Sequence, residues 1–409
     1  MKVFALGGYG KVGLPAVQLL ARSDLVTEIA IAGRSIERAE KMATEIGKKA
    51  IAVHVDGTDE EKLTALLAGY DIIMNAAAAK AVLPAIRASI RTGVHYCDAA
   101  SFGDFVEQVL KLSSEARAAG ITAIVANGIS PCISNLMGVH VARQMDEVEQ
   151  LQLGRACIFD FQSGRELTPR QWLEDPKESL AALHEFRPFI SWMLQILQKN
   201  GLRAALDYQD GQWVEVDPIR SGTDVPHLES GTVTSYPHMS CDTFWGTLPR
   251  DLSKTSPMEI WLSPLPPQLH AVLRDQALRM LEENIDPDIA INSFYNTADS
   301  DPQRWLTLPD DYTPVPVMWA RAVGRKEGRA ARCSCWFTAP MWEVGGYLLT
   351  SVPLVVAALK ILRGEIRERG VMAAEKTFDP LPFLDEVAFL ISDSLPDGKM
   401  LGESFEWLE

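Results

Sequence analysis

The sequence predicts an α/β chain: a doubly wound parallel sheet at the N-terminus, followed by a second region of α+β character. Three observations carry this. Val3-Phe4-Ala5-Leu6 is a short apolar run, followed at once by Gly8-Tyr9-Gly10-Lys11-Val12-Gly13 and by an amphipathic stretch to Arg22. Short apolar runs and amphipathic stretches then alternate as far as residue 128. From Val148 the pattern changes to paired strands and separate helices.

The glycine run has the form G-x-G-x-x-G. It follows a strand and opens a helix, the context in which such a triplet binds a dinucleotide. The first two glycines allow a tight turn and close approach of a pyrophosphate. The third lets the helix pack on the strand, and the helix N-terminus faces the negative charge. Gly8, Tyr9, Gly10, Lys11, Val12 and Gly13 are therefore the first cofactor candidates.

The expected strands are Lys2–Leu6, Glu28–Ala32, Ala50–His54, Tyr70–Met74, Val94–Cys97 and Thr122–Ala126. They are apolar throughout, as parallel strands buried on both faces should be. The expected helices between them are Val12–Arg22, Ile36–Ile46, Glu60–Leu67, Lys80–Arg91 and Asp104–Ala119, with Ser134–Met145 after the last strand. Ligands in such sheets bind beyond the carboxyl ends of the strands.

The second strand ends Gly33-Arg34-Ser35, with Arg38 and Lys41 on the next helix. An acidic residue here would hold the ribose hydroxyls of NAD. A guanidinium suits a 2′-phosphate, so NADP is the expected cofactor, with NAD possible. Arg34 could equally stack on adenine or be a solvated helix-start residue. Asp56 ends the third strand and could touch the adenine edge or cap the next helix. The fourth strand runs into Asn75-Ala76-Ala77, where small side chains admit the cofactor or simply favour helix. Asp98 lies past the fifth strand, placed to contact substrate, transfer a proton or cap the next segment. The sixth ends Ala126-Asn127-Gly128, and the turn through Cys132 to Asn135 feeds a helix whose N-terminus faces the same cleft. A thiolate is stabilised at such a terminus, so Cys132 has either a redox or covalent role or one of filling space.

Net charge is −15, with 47% hydrophobic and 23% charged residues. That balance disfavours nucleic acid and anionic membranes as partners and leaves a small-molecule substrate. Six scattered cysteines show no metal-type spacing, which fits reduced thiols in the cytoplasm; no metal is expected. Val344–Leu359, the only long uncharged stretch, is short for a membrane span and contains Pro353.

In the middle region, Gln150–Phe159, Gln212–Val216, Thr232–Tyr236 and Glu259–Leu262 read as strands, and Trp172–Gly201 and Pro266–Glu283 as helical. Val315–Val323 and Arg329–Thr338 flank Gly324-Arg325-Lys326-Glu327-Gly328 as a hairpin. Arg155, Arg165, Arg220, Arg250 and Arg321 are candidates to grip a substrate carboxylate. His238 could serve as an acid or base, or be a structural histidine.

GGYGKVG, the AGRS strand end, HYCDAAS and NGISPCISNL together resemble the saccharopine dehydrogenase-like family, which includes saccharopine reductases, lysine 6-dehydrogenases and carboxynorspermidine dehydrogenases. LRGEIRERGVMAAEKTFDPLPFLDEV is similar to the closing segment of that family. The family usually has Pro-Gly where this chain has Pro131-Cys132. The resemblance implies an NADP-binding Rossmann domain over 1–145, an inserted α+β substrate and dimerisation domain over 146–340, and C-terminal helices over 341–409 that return to the Rossmann domain. It implies an oxidoreductase that moves a hydride to or from a C=N or amine carbon of an amino-acid-like substrate, in a homodimer. Related sequences reduce C=C bonds as enoyl reductases, and a non-catalytic NADP-binding regulator is a second alternative.

Overall fold

The computed structural model describes residues 1–77, 79–99, 108–156, 175–185, 187–200, 205–209, 212–217, 219, 222–227, 231–237, 254–260, 266–307, 316, 318–339, 344–395 and 398–409. The described residues form two compact units. One holds those of 1–140 and 346–400, the other those of 141–345 and 401–409.

The first unit is built on a seven-stranded parallel sheet. Its strands are β1 (Lys2–Leu6), β2 (Glu28–Gly33), β3 (Ala50–His54), β4 (Ile72–Asn75), β5 (His95–Asp98) and β6 (Thr122–Val125), with a late seventh strand, Gly370–Ala373. From one edge the order is Gly370–Ala373, β6, β5, β4, β1, β2, β3. The chain winds outward from β1 in one direction and from β4 in the other, so the crevice for a ligand lies past the ends of β1 and β4. Ile29, Ala30, Ile31 and Ala32 are all fully buried, as are Ile72, Ile73 and Met74. Burial on both faces explains why these strands read as unbroken apolar runs.

Several boundaries move. The first helix begins at Gly13 rather than Val12. The segment before β5 divides into a single 3-10 turn, Ala79–Ala81, and a helix, Val82–Thr92, that ends on Gly93 in the left-handed conformation. The expected helix from Asp104 is interrupted at 111–112, with residues 108–110 helical before it and Ser113–Ala118 a helix after it; residues 100–107 lie outside the described part. The seventh strand was not expected. Ser113 ties it down, its hydroxyl taking the Val371 N–H and donating to the Val371 carbonyl. The helix Gly346–Leu362 accommodates Pro353, and no described helix is long and apolar enough to cross a membrane.

The second unit carries a nine-stranded mixed sheet. Its strands are β7 (Glu147–Ala156), β8 (Ala205–Gln209), β9 (Gln212–Val216), β10 (Thr223–His227), β11 (Gly231–Pro237), β12 (Lys254–Ile260), β13 (Met318–Lys326) and β14 (Arg329–Phe337), closed by the C-terminal strand Leu401–Trp407. All its pairings are antiparallel except β7 with β12. Leu401–Trp407 therefore belongs to this sheet, and residues 401–409 to this unit rather than the first.

The hairpin is tighter than expected. β13 and β14 pair up to Lys326 and Arg329, leaving only Glu327 and Gly328 in the turn, at φ +52° and +72°. Gly324 is a strand residue beside a bulge, where a β-carbon would lie 2.0 Å from the Glu147 carbonyl oxygen. The described residues of the stretch expected to be helical from 172 to 201 form two helices, Pro176–Glu185 and Arg187–Asn200. They share an apolar cluster with Pro267–Glu282 and Pro287–Ser300 through Leu183, Leu194, Leu273 and Phe294.

His270, on Pro267–Glu282, has Nε2 sealed from solvent. Burial, helped by the Arg274 charge, lowers its pKa to about 4 from 6.5. Below pH 6.5 the unfolded chain takes up a proton that the folded chain refuses until about pH 4. Stability should therefore fall as pH drops through this window and be unaffected by this group above it. Thermal unfolding at pH 7 and pH 5 checks this: the melting temperature should fall less in His270→Gln than in the unsubstituted protein.

Candidate cofactor site

The glycine loop folds back on itself. The Gly7 N–H donates to Ala32, Gly10 to Gly7 at 2.8 Å, and Leu14 to Gly10 at 2.8 Å. A β-carbon on Gly13 would lie 2.1 Å from the Gly7 oxygen, so only glycine lets the helix sit this close. The helix Gly13–Arg22 has no side-chain cap and no acidic residue in its first turn. Its positive end is left for an anion.

At the end of β2, Arg34 and Arg38 are exposed, and neither makes an ion pair among the described residues. Two guanidinium groups without such pairs fit a 2′-phosphate. Ser35 caps the helix Ile36–Ile46, its hydroxyl accepting the Arg38 N–H and donating to Glu37. Asp56 is used locally. One of its oxygens takes both the backbone N–H and the hydroxyl of Thr58, which holds the carboxyl below its ordinary pKa. The helix cap there is Asp59.

The ends of β4, β5 and β6 are joined by a buried network. Asn75 Nδ2 donates to the Tyr96 hydroxyl at 3.1 Å, and that hydroxyl donates to Asp98 Oδ2 at 2.7 Å. Asp98 Oδ1 accepts the Ala126 N–H at 2.8 Å, and its carbonyl accepts from Asn127. Ala126 sits at φ +61°, a conformation an alanine holds only when its surroundings fix it. Burial and the Asp98 charge push the Tyr96 hydroxyl well above its ordinary pKa, so it acts as a neutral donor. Asn75 Oδ1 and the Leu6 carbonyl accept from Ala77 and Ala76, which fixes that turn against the glycine loop.

Cys132 is fully buried, and burial, with the Glu375 charge, pushes its thiol well above the ordinary range. Burial therefore opposes a stabilised thiolate at this turn. His238 lies outside the described residues, as do Arg165, Arg220 and Arg250. Arg321 is buried, its guanidinium 5.5 Å from the centre of the Trp319 ring.

Three contributors escaped the sequence reading. From the helix Gly346–Leu362, the Ser351 hydroxyl donates to the Val12 carbonyl at 2.6 Å. The Lys11 ammonium lies 4.9 Å from the centre of the Tyr347 ring. The Thr350 methyl would be 3.5 Å from a β-carbon on Gly128. Hydroxyl-bearing residues at 347, 350 and 351, one face of an otherwise apolar helix, were the available signal.

The residues fit a dinucleotide phosphate. Besides the uncapped helix and the two guanidinium groups, Asn127 Oδ1 and Asn135 Nδ2 are buried with no hydrogen-bond partner among the described residues. Such atoms call for a ligand or water.

Comparison with known proteins agrees. Residues 3–124 match the saccharopine dehydrogenase NADP binding domain. The chain is 22% identical to carboxyaminopropylagmatine dehydrogenase of Synechocystis sp. over 398 residues, covering 92% of this chain and 93% of that protein. Its fold matches apo saccharopine dehydrogenase (L-Glu forming) from Saccharomyces cerevisiae, with a TM-score of 0.62, 15% identity and 99% of both chains covered. The matched NADP-binding domain, with a dehydrogenase aligned over nearly the whole chain, makes this an NADP-binding oxidoreductase. Over these residues the chain resembles the saccharopine dehydrogenase-like family.

Two outcomes follow. Arg34→Asp should weaken NADPH binding roughly ten- to a hundred-fold and improve NADH, since charged hydrogen bonds contribute about 1.5–3 kcal/mol. Fluorescence titration checks this, and equal wild-type affinity for both nucleotides would overturn it. Asp98→Asn should lower stability by about 1–3 kcal/mol, because an amide cannot serve all the donors aimed at the carboxylate. An unchanged denaturation midpoint with a hundred-fold loss of turnover would instead give Asp98 the proton-handling role.

Proposed function

We propose that this enzyme transfers a hydride to or from the carbon of a C=N or amine centre in a small, carboxyl-bearing, amino-acid-like substrate. The supporting observation is the match, over nine-tenths of both chains, to a dehydrogenase whose name specifies a carboxyl and an amine-bearing agmatine part. NADP supplies the hydride chemistry when bound. The chain's own part is to bind, orient and exclude water. The uncapped helix at Gly13 and the arginines at the end of β2 bind the anionic end. The Asn75–Tyr96–Asp98 network fixes the turn that carries Asn127 and Asn135, whose unpaired amide atoms orient the other end. In the reductive direction an amine and a carbonyl compound condense with loss of water to the C=N compound, whose carbon gains the hydride and whose nitrogen ends protonated, so turnover requires an amine, a carbonyl compound and NADPH together.

The test is NADPH oxidation followed by absorbance across a matrix of amines and carboxyl-bearing aldehydes or keto acids. Turnover should appear only where both partners are present, with a secondary amine as product by mass spectrometry. Turnover with an α,β-unsaturated carbonyl compound alone would overturn the reading in favour of C=C reduction.

A further inference from the structure

Tyr9 occupies the first variable position of the glycine motif, where the backbone alone handles a pyrophosphate. Its side chain is nevertheless held from several sides. The Ser35 N–H donates to the Tyr9 hydroxyl at 2.8 Å. The ring lies against Gly33, where a β-carbon would stand 2.4 Å from that hydroxyl oxygen. The Arg38 guanidinium lies 4.7 Å from the ring centre and donates through Nη2 to the Tyr9 carbonyl at 3.0 Å. One aromatic side chain thus ties the glycine loop to the end of β2 and to the first turn of Ile36–Ile46.

The consequence falls on Arg38. An exposed arginine ordinarily samples many rotamers, and binding an anion with it means giving up that freedom. Here stacking on a neutral ring and one bond to a carbonyl fix the guanidinium without neutralising it. Its charge and remaining donors stay available, since it makes no ion pair among the described residues. The glycine at position 33 is part of the same device, because any side chain there would push the ring away.

We propose that Tyr9 is a positioning residue for the 2′-phosphate of NADP, holding Arg38 beneath the phosphate so that this phosphomonoester is selected over a free ribose hydroxyl. The inference rests on NADP binding to this domain and is independent of the substrate reading. It predicts a loss specific to the phosphate, whereas a merely structural role for Tyr9 in the loop would weaken every dinucleotide alike.

The experiment titrates NADPH, NADH and 2′,5′-ADP against the full chain, reading nucleotide or tryptophan fluorescence. Tyr9→Leu should weaken NADPH and 2′,5′-ADP about three- to tenfold, the scale of a lost cation–π contact with its ordering, and NADH less than about twofold. Tyr9→Phe keeps the ring and should keep the wild-type NADPH to NADH ratio. Gly33→Ala displaces the ring from its other side and should reproduce Tyr9→Leu, which keeps the test available should Tyr9→Leu fail to fold. In an Arg38→Ala background, Tyr9→Leu should add nothing to phosphate discrimination. Equal weakening of NADPH and NADH in Tyr9→Leu, a Tyr9→Phe that behaves as Tyr9→Leu, or additive effects with Arg38→Ala would each overturn the proposal. A wild-type protein that binds neither nucleotide would overturn it together with the cofactor assignment.

Discussion

The contact between Gly13 and the Gly7 carbonyl leaves no space for a side chain; a β-carbon there would stand 2.1 Å from the oxygen. This close approach sets the helix Gly13–Arg22 directly on the turn leaving β1. Since β1 lies between β2 and β4, the helix N-terminus is thereby aimed at the crevice where the winding of the sheet reverses. Other parts lean on the same point. Ser351 bonds the carbonyl of Val12, Ala76 bonds Leu6, and Gly7 bonds Ala32. A substitution at Gly13 would therefore disturb the anion end, the β4 turn and the seating of Gly346–Leu362 together.

On the other side of the crevice a polar clamp replaces steric contact. Asn75, Tyr96 and Asp98 form a chain of buried hydrogen bonds across β4 and β5 that ends on the backbone N–H of Ala126 after β6. Buried polar networks specify a conformation when every member is satisfied, and are costly when one is not. The left-handed backbone at Ala126 is what the clamp holds in place. The side chain that follows, Asn127, spends both amide hydrogens on the Asp98 and Ile124 carbonyls and keeps an unpaired oxygen. Through these bonds Asp98 ties the end of β5 to the turn after β6.

The strands of the first sheet were legible because parallel strands buried on both faces leave continuous apolar runs, as in Ile29–Ala32 and Ile72–Met74. The seventh strand was hidden by its length, four residues, and by the charged run Glu365 to Arg369 before it. Gly324 misled because a glycine in a polar stretch suggests a turn, whereas here it relieves the approach of the β7 backbone. At the site, the glycine loop and the arginines after β2 could be read, since both depend on local spacing. Tyr347 and Ser351 could not, because more than three hundred residues separate them from the loop they touch. The two roles open to Cys132 could not be separated by sequence, because a helix terminus lowers a thiol pKa only when the sulfur is not also desolvated, and burial is a property of the fold.

A chain with a net charge of −15 that binds a multiply anionic cofactor presents an apparent conflict. It resolves by distance. Interactions between exposed charges fade over roughly 8 Å at physiological ionic strength, so the total matters less than what lies within one such length of the phosphates. There the sequence is selective. The first turn of Gly13–Arg22 holds no acidic residue, and Arg34 and Arg38 are spared ion pairs among the described residues. Two carboxylates of this region are already engaged: Glu37 takes the Ser35 hydroxyl, and Asp56 takes Thr58. These bonds keep both groups ionised but hold them in their own turns. Within an acidic molecule Arg34 and Arg38 thus keep guanidinium donors free of ion pairs among the described residues, while Glu37 and Asp56, still charged, are hydrogen-bonded within their own turns.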